Sequence, residues 1–159
     1  VSFHSRAAVP VFFRINASRT QIVRCRVGQE GTSAVQVHMT NTAITDPEIL
    51  ESRFPVRLVG FRKRTGSGGK GSWNGGDGIE RHYLFEEEIE LSLLTQRRTS
   101  GPEGLAGGED GLPGEQILIR ADGTEEILKS ADSRTAYPGD RLVLCTPGGG
   151  GAGESELLA

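Results

Sequence analysis

The chain has 159 residues, enough for one domain with a modest core. Its 18 basic and 21 acidic side chains leave a net charge of −3, which excludes the basic excess that drives nucleic-acid binding. Only 35% of the residues are hydrophobic, while glycine occurs 23 times, about twice its usual share of roughly 7%. This composition predicts a loop-rich β structure rather than a helical bundle.

Short β-branched and aromatic runs open the chain. Residues 9–15, 21–27 and 33–39 are separated by polar or glycine-containing turns, which predicts three successive strands. In the third run the valines share one face, so His38 lies on the polar face. A lone strand histidine is more often a hydrogen-bonded structural residue than an acid, a base or a ligand, and both interpretations of His38 stay open.

A short helix is predicted from residue 46 to 53. Thr45 or Asp46 can act as its N-cap, with Pro47 in the first turn, where the missing N–H costs nothing. Pro55 biases the preceding residue towards an extended conformation and so ends the helix. Two turns of helix are too few to stand alone in water. Three apolar side chains are therefore expected to hold the helix against the rest of the domain: Ile49, Leu50 and Phe54.

Strands and glycine-rich loops alternate after the helix. The predicted strands are 56–64, 79–85, 88–96, 117–121, 124–128 and 141–146. Asp122-Gly123 predicts a hairpin with a type I′ turn, which needs positive φ at both central positions. Two long irregular stretches, 66–78 and 99–114, interrupt the strands, and 148–151 follows the last one. Such long loops are unusual inside a compact domain and tend to be functional or to lie at an interface.

The expected fold is mainly β, an antiparallel sandwich or a distorted barrel with one short helix and long glycine-rich loops. We expect a single domain over residues 1–153 and a frayed tail over 154–159. Cys25 and Cys145 lie far apart in strand-like sequence, so buried free thiols are expected and a cytoplasmic location fits best. The chain opens on Val1 and not on Met, so we expect it to be part of a longer polypeptide.

The glycine-rich segment 66–78 resembles two nucleotide motifs in letters only. Gly66-x-Gly68-x-x-Gly71 is not followed by a helix that could receive a pyrophosphate, and Lys70 is not followed by the Ser or Thr of a P-loop. Two interpretations stay open. The segment forms structural turns around a buried tryptophan, or it offers backbone N–H groups to an anion.

Arg97 and Arg98 end a predicted strand, where a guanidinium can bind a carboxylate or phosphate bidentately. Adjacent strand residues face opposite sides, so at most one of the two is expected to do so. The alternative is solvent exposure or an ion pair with the acidic clusters. No second histidine lies at metal-ligand spacing from His38, and no Ser or Cys has a recognisable base, so we expect neither a metal site nor nucleophilic catalysis within this chain.

Several long sequence blocks occur in an order that is similar to a known family. They are HMTNTAITDPEILESRFPVRL (38–58), GSGGKGSWNGGDG (66–78), LSLLTQRR (91–98), GLAGGEDGLPGE (104–115) and YPGDRLVLCTPGGGGAG (137–153). These blocks resemble the C-terminal part of the B-type region in the hydantoinase B/5-oxoprolinase family, over roughly residues 30–153. Residues 11–27 depart from the family pattern and are typical of an ordinary strand.

The resemblance implies an ATP-dependent parent enzyme. In this family 5-oxoprolinase opens 5-oxoproline to glutamate, hydantoinases open N-methylated hydantoins, and relatives carboxylate ketones. An A-type part, similar to actin-like ATPases, phosphorylates the substrate, and the B-type part completes the reaction. The form ITDPEILESRFPVRL is most similar to 5-oxoprolinase.

For this chain the resemblance implies a cyclic amide substrate, an A-type partner component and an oligomeric parent that uses ATP and Mg²⁺. No cofactor, nucleic acid or membrane partner is expected for the chain itself, which we expect to be inactive alone. The residues expected to bind substrate are His38, Asn41, Thr42, Arg97 and Arg98. The alternative is a non-catalytic β module that docks onto the ATPase component.

Overall fold

A computed structural model of the chain describes residues 2–4, 11–12, 28–35 and 46–154. Its elements in chain order are β1 Ser2–His4, β2 Val11–Phe12, α1 Pro47–Arg53, β3 Val56–Arg64, β4 Gly78–Phe85, β5 Ile89–Leu94, β6 Glu115–Ile119, β7 Glu125–Ile127, β8 Ala131–Ala136 and β9 Arg141–Cys145. No helix in this part of the chain is long and apolar enough to cross a lipid bilayer.

The strands form two antiparallel sheets that pack face to face. One sheet has the order β2-β1-β5-β8 and the other the order β3-β4-β9-β6-β7. The core lies between them, because its buried members come from both sheets and from α1: Leu50, Val56, Tyr83, Phe85, Ile89, Leu91, Leu93, Leu118, Leu128, Ala136 and Leu142. The predicted mainly β sandwich with one short helix is confirmed, and the described strands do not close into a barrel.

The short helix forms as its capping sequence predicts. The Asp46 carboxylate accepts a hydrogen bond from the Glu48 N–H at 2.9 Å, and Phe54 returns the chain to an extended conformation. Leu50 is 2% exposed, whereas Ile49 is 47% exposed. The expectation that Ile49 anchors the helix is therefore wrong, because a two-turn helix lying on a sheet buries only a narrow stripe.

The hairpin at Asp122-Gly123 is confirmed, but its predicted turn type is wrong. Gly123 has a φ of +89°, while Asp122 does not have a positive φ. The Gly123 N–H donates to the Arg120 carbonyl at 2.9 Å, and the Asp122 carboxylate accepts from the Thr124 N–H at 2.8 Å. This is a type I turn followed by a left-handed glycine, which suits the three-residue hairpin loop.

Three predicted strands at the start of the chain differ from the structure or lie wholly or partly outside the described residues. The run 33–39 begins in a turn, since Ala34 has a φ of 59° and donates its N–H to the Asp77 carbonyl. Residues 36–39 and 21–27, with Cys25, lie outside the described residues, and of the run 9–15 only Val11–Phe12 is described, as β2. The strand β8 was not predicted, because ADSRTA lacks a β-branched or aromatic run.

Candidate functional site

The glycine-rich segments meet at one end of the five-stranded sheet. We call residues 66–77, 101–114 and 147–153 together the glycine cluster. They follow the ends of β3 and β9 and precede the starts of β4 and β6. Antiparallel pairing places these four strand termini at the same end of the sheet. Their backbones bond to one another: Gly69 N–H to Gly149 O, Leu112 N–H to Ser67 O and Gly151 N–H to Glu109 O, each at 2.8 Å. The predicted loops therefore form one hydrogen-bonded structure.

The cluster requires glycine because its backbones approach too closely for a side chain. A Cβ at Gly71 would lie 2.6 Å from the Ala152 carbonyl oxygen, and real Cβ atoms essentially never come within 3.0 Å. A Cβ at Gly148 would overlap the carbonyl oxygen of Ser67. The abundance of glycine thus reflects packing of backbone against backbone.

Backbone N–H groups of the first segment, 66–77, form hydrogen bonds within the domain. Each amide from Ser67 to Trp73 donates within the domain: to Arg64 O, Asp77 Oδ1, Gly149 O, Glu109 Oε2, Asn74 Oδ1, Gly153 O and Ala152 O, in order. An anion would have to displace these acceptors, so the structure favours the structural interpretation of this segment. Trp73 is only half-buried, and its backbone forms an isolated antiparallel β-bridge with Ala152.

An open polar cavity of about 430 Å³ lies beside the cluster. Its lining residues are Glu30, Gly31, Ser33, Gly66, Gly68, Lys70, Asn74, Gly75 and Asp77. The Gly31 N–H donates to the Asn74 carbonyl at 2.8 Å, and the Asp77 N–H donates to Ser33 Oγ at 3.0 Å, so these bonds hold the two walls together. Sequence reasoning missed this cavity, because residues 28–35 contain no recognisable motif.

Three predicted substrate-binding residues lie outside the described part of the chain. His38, Asn41 and Thr42 fall within residues 36–45. The described segment 28–35 precedes them directly and forms one wall of the cavity. Their assignment stays a prediction.

The arginine pair does not end a strand, contrary to expectation. The strand β5 ends at Leu94, and Arg97 adopts a left-handed φ of 57° that breaks the extended backbone. Arg97 is exposed and donates from Nη1 to the Gly101 carbonyl at 3.3 Å. The two side chains have different surroundings, because Arg98 is half-buried while its neighbour faces solvent.

The Arg98 guanidinium is held at one end and unpartnered at the other. Its Nε donates to Thr95 Oγ1 and to Gln116 Oε1, both at 3.2 Å, while Nη1 and Nη2 are buried without a hydrogen bond to any described residue. Gly114 leaves room for it, since a Cβ there would overlap Nη1. Burial lowers the pKa of the Arg98 guanidinium to about 10. A planar guanidinium whose two terminal nitrogens lack partners can donate two parallel hydrogen bonds to an oxyanion. An arginine that binds a carboxylate has this geometry.

A cluster of polar side chains around Glu80 lies on the outer face of the five-stranded sheet. Glu80 accepts from Arg62 Nη2 at 2.7 Å and contacts His82 Nε2, and the Arg62 bond lowers the pKa of Glu80. Cys145 pairs with Glu80 across the sheet as a buried free thiol, as predicted. Burial raises the pKa of Cys145, which disfavours a nucleophilic thiolate. No group of three or more His, Cys, Asp or Glu residues that could hold a metal ion occurs among the described residues.

These features define an antiparallel two-sheet β domain whose glycine-rich segments pack backbone against backbone at one end. Residues 25–155 match the family model described as Hydantoinase B/oxoprolinase, and the chain belongs to that family.

Similar proteins agree with this assignment. The chain is 46% identical over 125 residues to 5-oxoprolinase 1 of Arabidopsis thaliana, covering 79% of this chain and 10% of that protein. It is 41% identical over 128 residues to 5-oxoprolinase of Dictyostelium discoideum, covering 80% of this chain and 10% of that protein. It is 44% identical over 109 residues to 5-oxoprolinase of Saccharomyces cerevisiae, covering 67% of this chain and 8% of that protein.

Two solved structures share the fold. Nucleotide-free acetone carboxylase has a TM-score of 0.65 at 18% identity over 79% of this chain and 21% of its own. The ATP-dependent caprolactamase of Pseudomonas jessenii has a TM-score of 0.58 at 30% identity over 69% of this chain and 20% of its own. The chain thus spans about a tenth of the length of the 5-oxoprolinases it matches.

Proposed function

We propose that this chain is the C-terminal part of the B-type region of an ATP-dependent enzyme that opens 5-oxoproline to glutamate. The observation that carries the proposal is the 46% and 41% identity to two 5-oxoprolinases over about four fifths of the chain. Because the chain spans only about a tenth of their length, the activity is proposed for the parent polypeptide. The isolated chain is expected to produce no glutamate.

The parent chemistry needs ATP because a cyclic amide is hydrolysed slowly without activation, and phosphorylation of its carbonyl oxygen supplies a leaving group. Segment 66–78 offers a nucleotide no free N–H group from Ser67 to Trp73, since each of these amides already donates within the domain. We propose that ATP and Mg²⁺ bind an A-type component, which is the partner of this domain. We also propose an oligomeric parent enzyme in the cytoplasm.

Arg98 is the residue we propose to bind the substrate carboxylate. Its Nε is positioned by Thr95 and Gln116, and its two terminal nitrogens have no partner among the described residues. They are covered by protein atoms, so a ligand reaches them only after a local rearrangement. Arg97 is the weaker candidate because its guanidinium is exposed and bonds to a backbone carbonyl. His38, Asn41 and Thr42 are proposed to complete the substrate contacts from the segment that follows the cavity wall.

The test uses the parent polypeptide with 5-oxoproline, ATP and Mg²⁺. Arg98→Lys keeps the charge but loses the fork, so kcat/KM should fall about 10- to 150-fold, the equivalent of one charge-assisted hydrogen bond of about 1.5–3 kcal/mol. The matched control, Arg97→Lys, should change kcat/KM less than about twofold. Absence of glutamate from the unaltered parent would refute the proposed activity, and equal effects of the two substitutions would refute the role of Arg98.

The competing proposal is a non-catalytic module that docks onto the ATPase component. Exposed apolar side chains on the edge strand β3, Val59 and Phe61, favour it. Alanine at Arg98 in the parent separates the two ideas. Size-exclusion chromatography measures the assembly. Loss of turnover with intact assembly supports the substrate site, and loss of assembly supports docking.

A further inference from the structure

The edge strand β3 is open along its second half. No strand in the described part of the chain pairs with its outer side. Its first half is blocked, because the Leu58 N–H donates to Glu51 Oε1 of α1 at 2.9 Å. Open strand edges present unpaired backbone groups to other chains, and proteins usually cover them. The part left uncovered here by the described residues runs from Gly60 to Arg64.

A β-bulge places an aromatic ring on this open half. The register between β3 and β4 shifts between Leu58 and Gly60, so that Phe61 pairs with Arg81. The Arg81 guanidinium lies over the Phe61 ring, 5.3 Å from its centroid. Phe61 is 57% exposed, and Val59 is also exposed. The bulge therefore creates an apolar surface next to a cation.

Arg81 forms no ion pair with any acid in the described ranges. It is 6% exposed, its Nη1 donates to Tyr83 Oη at 3.3 Å, and its Nε is buried without a partner there. The four cations of β3 itself each pair with an acid: Arg57 with Glu86, Arg62 with Glu80, Lys63 with Asp77 and Arg64 with Glu115. An unpaired buried charge is costly, so a carboxylate that approached Arg81 would be stabilised.

We propose that Val59, Phe61 and Arg81 form a docking surface for a segment of the parent polypeptide outside these 159 residues, one that carries a carboxylate beside apolar side chains. This inference rests on the proposed function, in which the parent is about ten times longer than this chain. Aromatic and arginine side chains dominate the binding energy of protein interfaces. The docked segment adds backbone hydrogen bonds along the open edge, and its carboxylate pairs with the Arg81 guanidinium once the Phe61 ring moves aside, because Arg81 is buried.

Photo-crosslinking in the parent polypeptide tests the surface. The photoreactive analogue benzoylphenylalanine replaces Phe61 in one sample and Ile127 in the control. Ile127 is 82% exposed on β7, the opposite edge of the same sheet. Position 61 should crosslink to an Asp- or Glu-containing peptide of the same polypeptide outside this chain, and position 127 should not. Substitution of that acid by Lys should then lower the yield at position 61 at least about fivefold.

The alternatives give different products. A mixture of isotopically labelled and unlabelled parent distinguishes a crosslink within one polypeptide from a crosslink to a second copy. A second-copy product, a product within the 159 residues, or no product at position 61 would each overturn the proposal. Turnover of 5-oxoproline is measured separately on the unaltered parent, so that failure of the docking surface and failure of the proposed activity are told apart.

Discussion

Asp140 is the residue on which three parts of the chain converge. Its Oδ1 accepts from the Ala121 N–H at 2.9 Å, and its Oδ2 accepts from the Tyr137 N–H at 3.0 Å and from Arg120 Nη1 at 2.9 Å. It is 2% exposed. Pro138, Gly139 and Asp140 are residue types typical of a turn, but the sequence does not show that the Asp140 carboxylate also holds the β6–β7 hairpin. A side chain's local role is readable from its neighbours in sequence, whereas its distant partners depend on the fold.

Replacing this carboxylate should destabilise the protein. Asp140→Asn removes the buried ion pair with Arg120, and we expect the free energy of unfolding to fall by about 3 kcal/mol. Glu126→Gln removes the other acidic partner of Arg120, a carboxylate that is more exposed than that of Asp140, and should cost no more than about 1 kcal/mol. Urea unfolding of both variants measures the difference. Equal losses would show that burial does not decide the strength of these pairs.

At the scale of elements, Leu50 is the fully buried side chain through which α1 packs into the core. Leu50→Ala should lower the free energy of unfolding by about 2–5 kcal/mol, because it leaves a cavity in the core. Ile49→Ala, one residue earlier, should cost less than about 0.5 kcal/mol, because that side chain is exposed. Thermal unfolding of the two variants tests the orientation of the helix. A larger loss for Ile49→Ala would mean that the helix is rotated.

Elements with strong local signals were predictable, and elements defined by a partner were not. Asp46, Pro47 and Pro55 fix both ends of α1 through local geometry, so its bounds agree within a residue. The polar run Ala131–Ala136 becomes the strand β8 because it pairs with β5, a non-local cause. The end of β5 was missed for the same reason, and with it the different surroundings of Arg97 and Arg98. The sequence therefore supplies candidate residues for the site, but not the geometry of the two that the structure describes, Arg97 and Arg98.

For the whole molecule, the glycine cluster joins parts of the chain that lie far apart in sequence. Bonds between 66–77, 101–114 and 147–153 link the ends of β3 and β9 to the starts of β4 and β6. The sequence indicates three separate irregular segments, because no local pattern encodes backbone contacts between distant glycines. Opening any one segment removes hydrogen-bond partners from the other two. The cluster should therefore unfold with the sandwich and not as independent loops.

Amide hydrogen exchange provides the test of this cooperativity. The amides of Gly69, Gly149 and Ala152 bond to Gly149, Gly76 and Trp73 carbonyls, and we expect them to exchange within about tenfold of the β4 and β9 amides, a difference of about 1.4 kcal/mol. The Gly123 amide is the control, since its bond to Arg120 lies in an exposed hairpin turn, and it should exchange at least about a hundredfold faster. NMR under native conditions resolves each amide. If the cluster amides exchanged at the Gly123 rate while the strands stayed protected, the glycine-rich segments would be loops that open on their own, and the close backbone packing would contribute nothing to the stability of the domain.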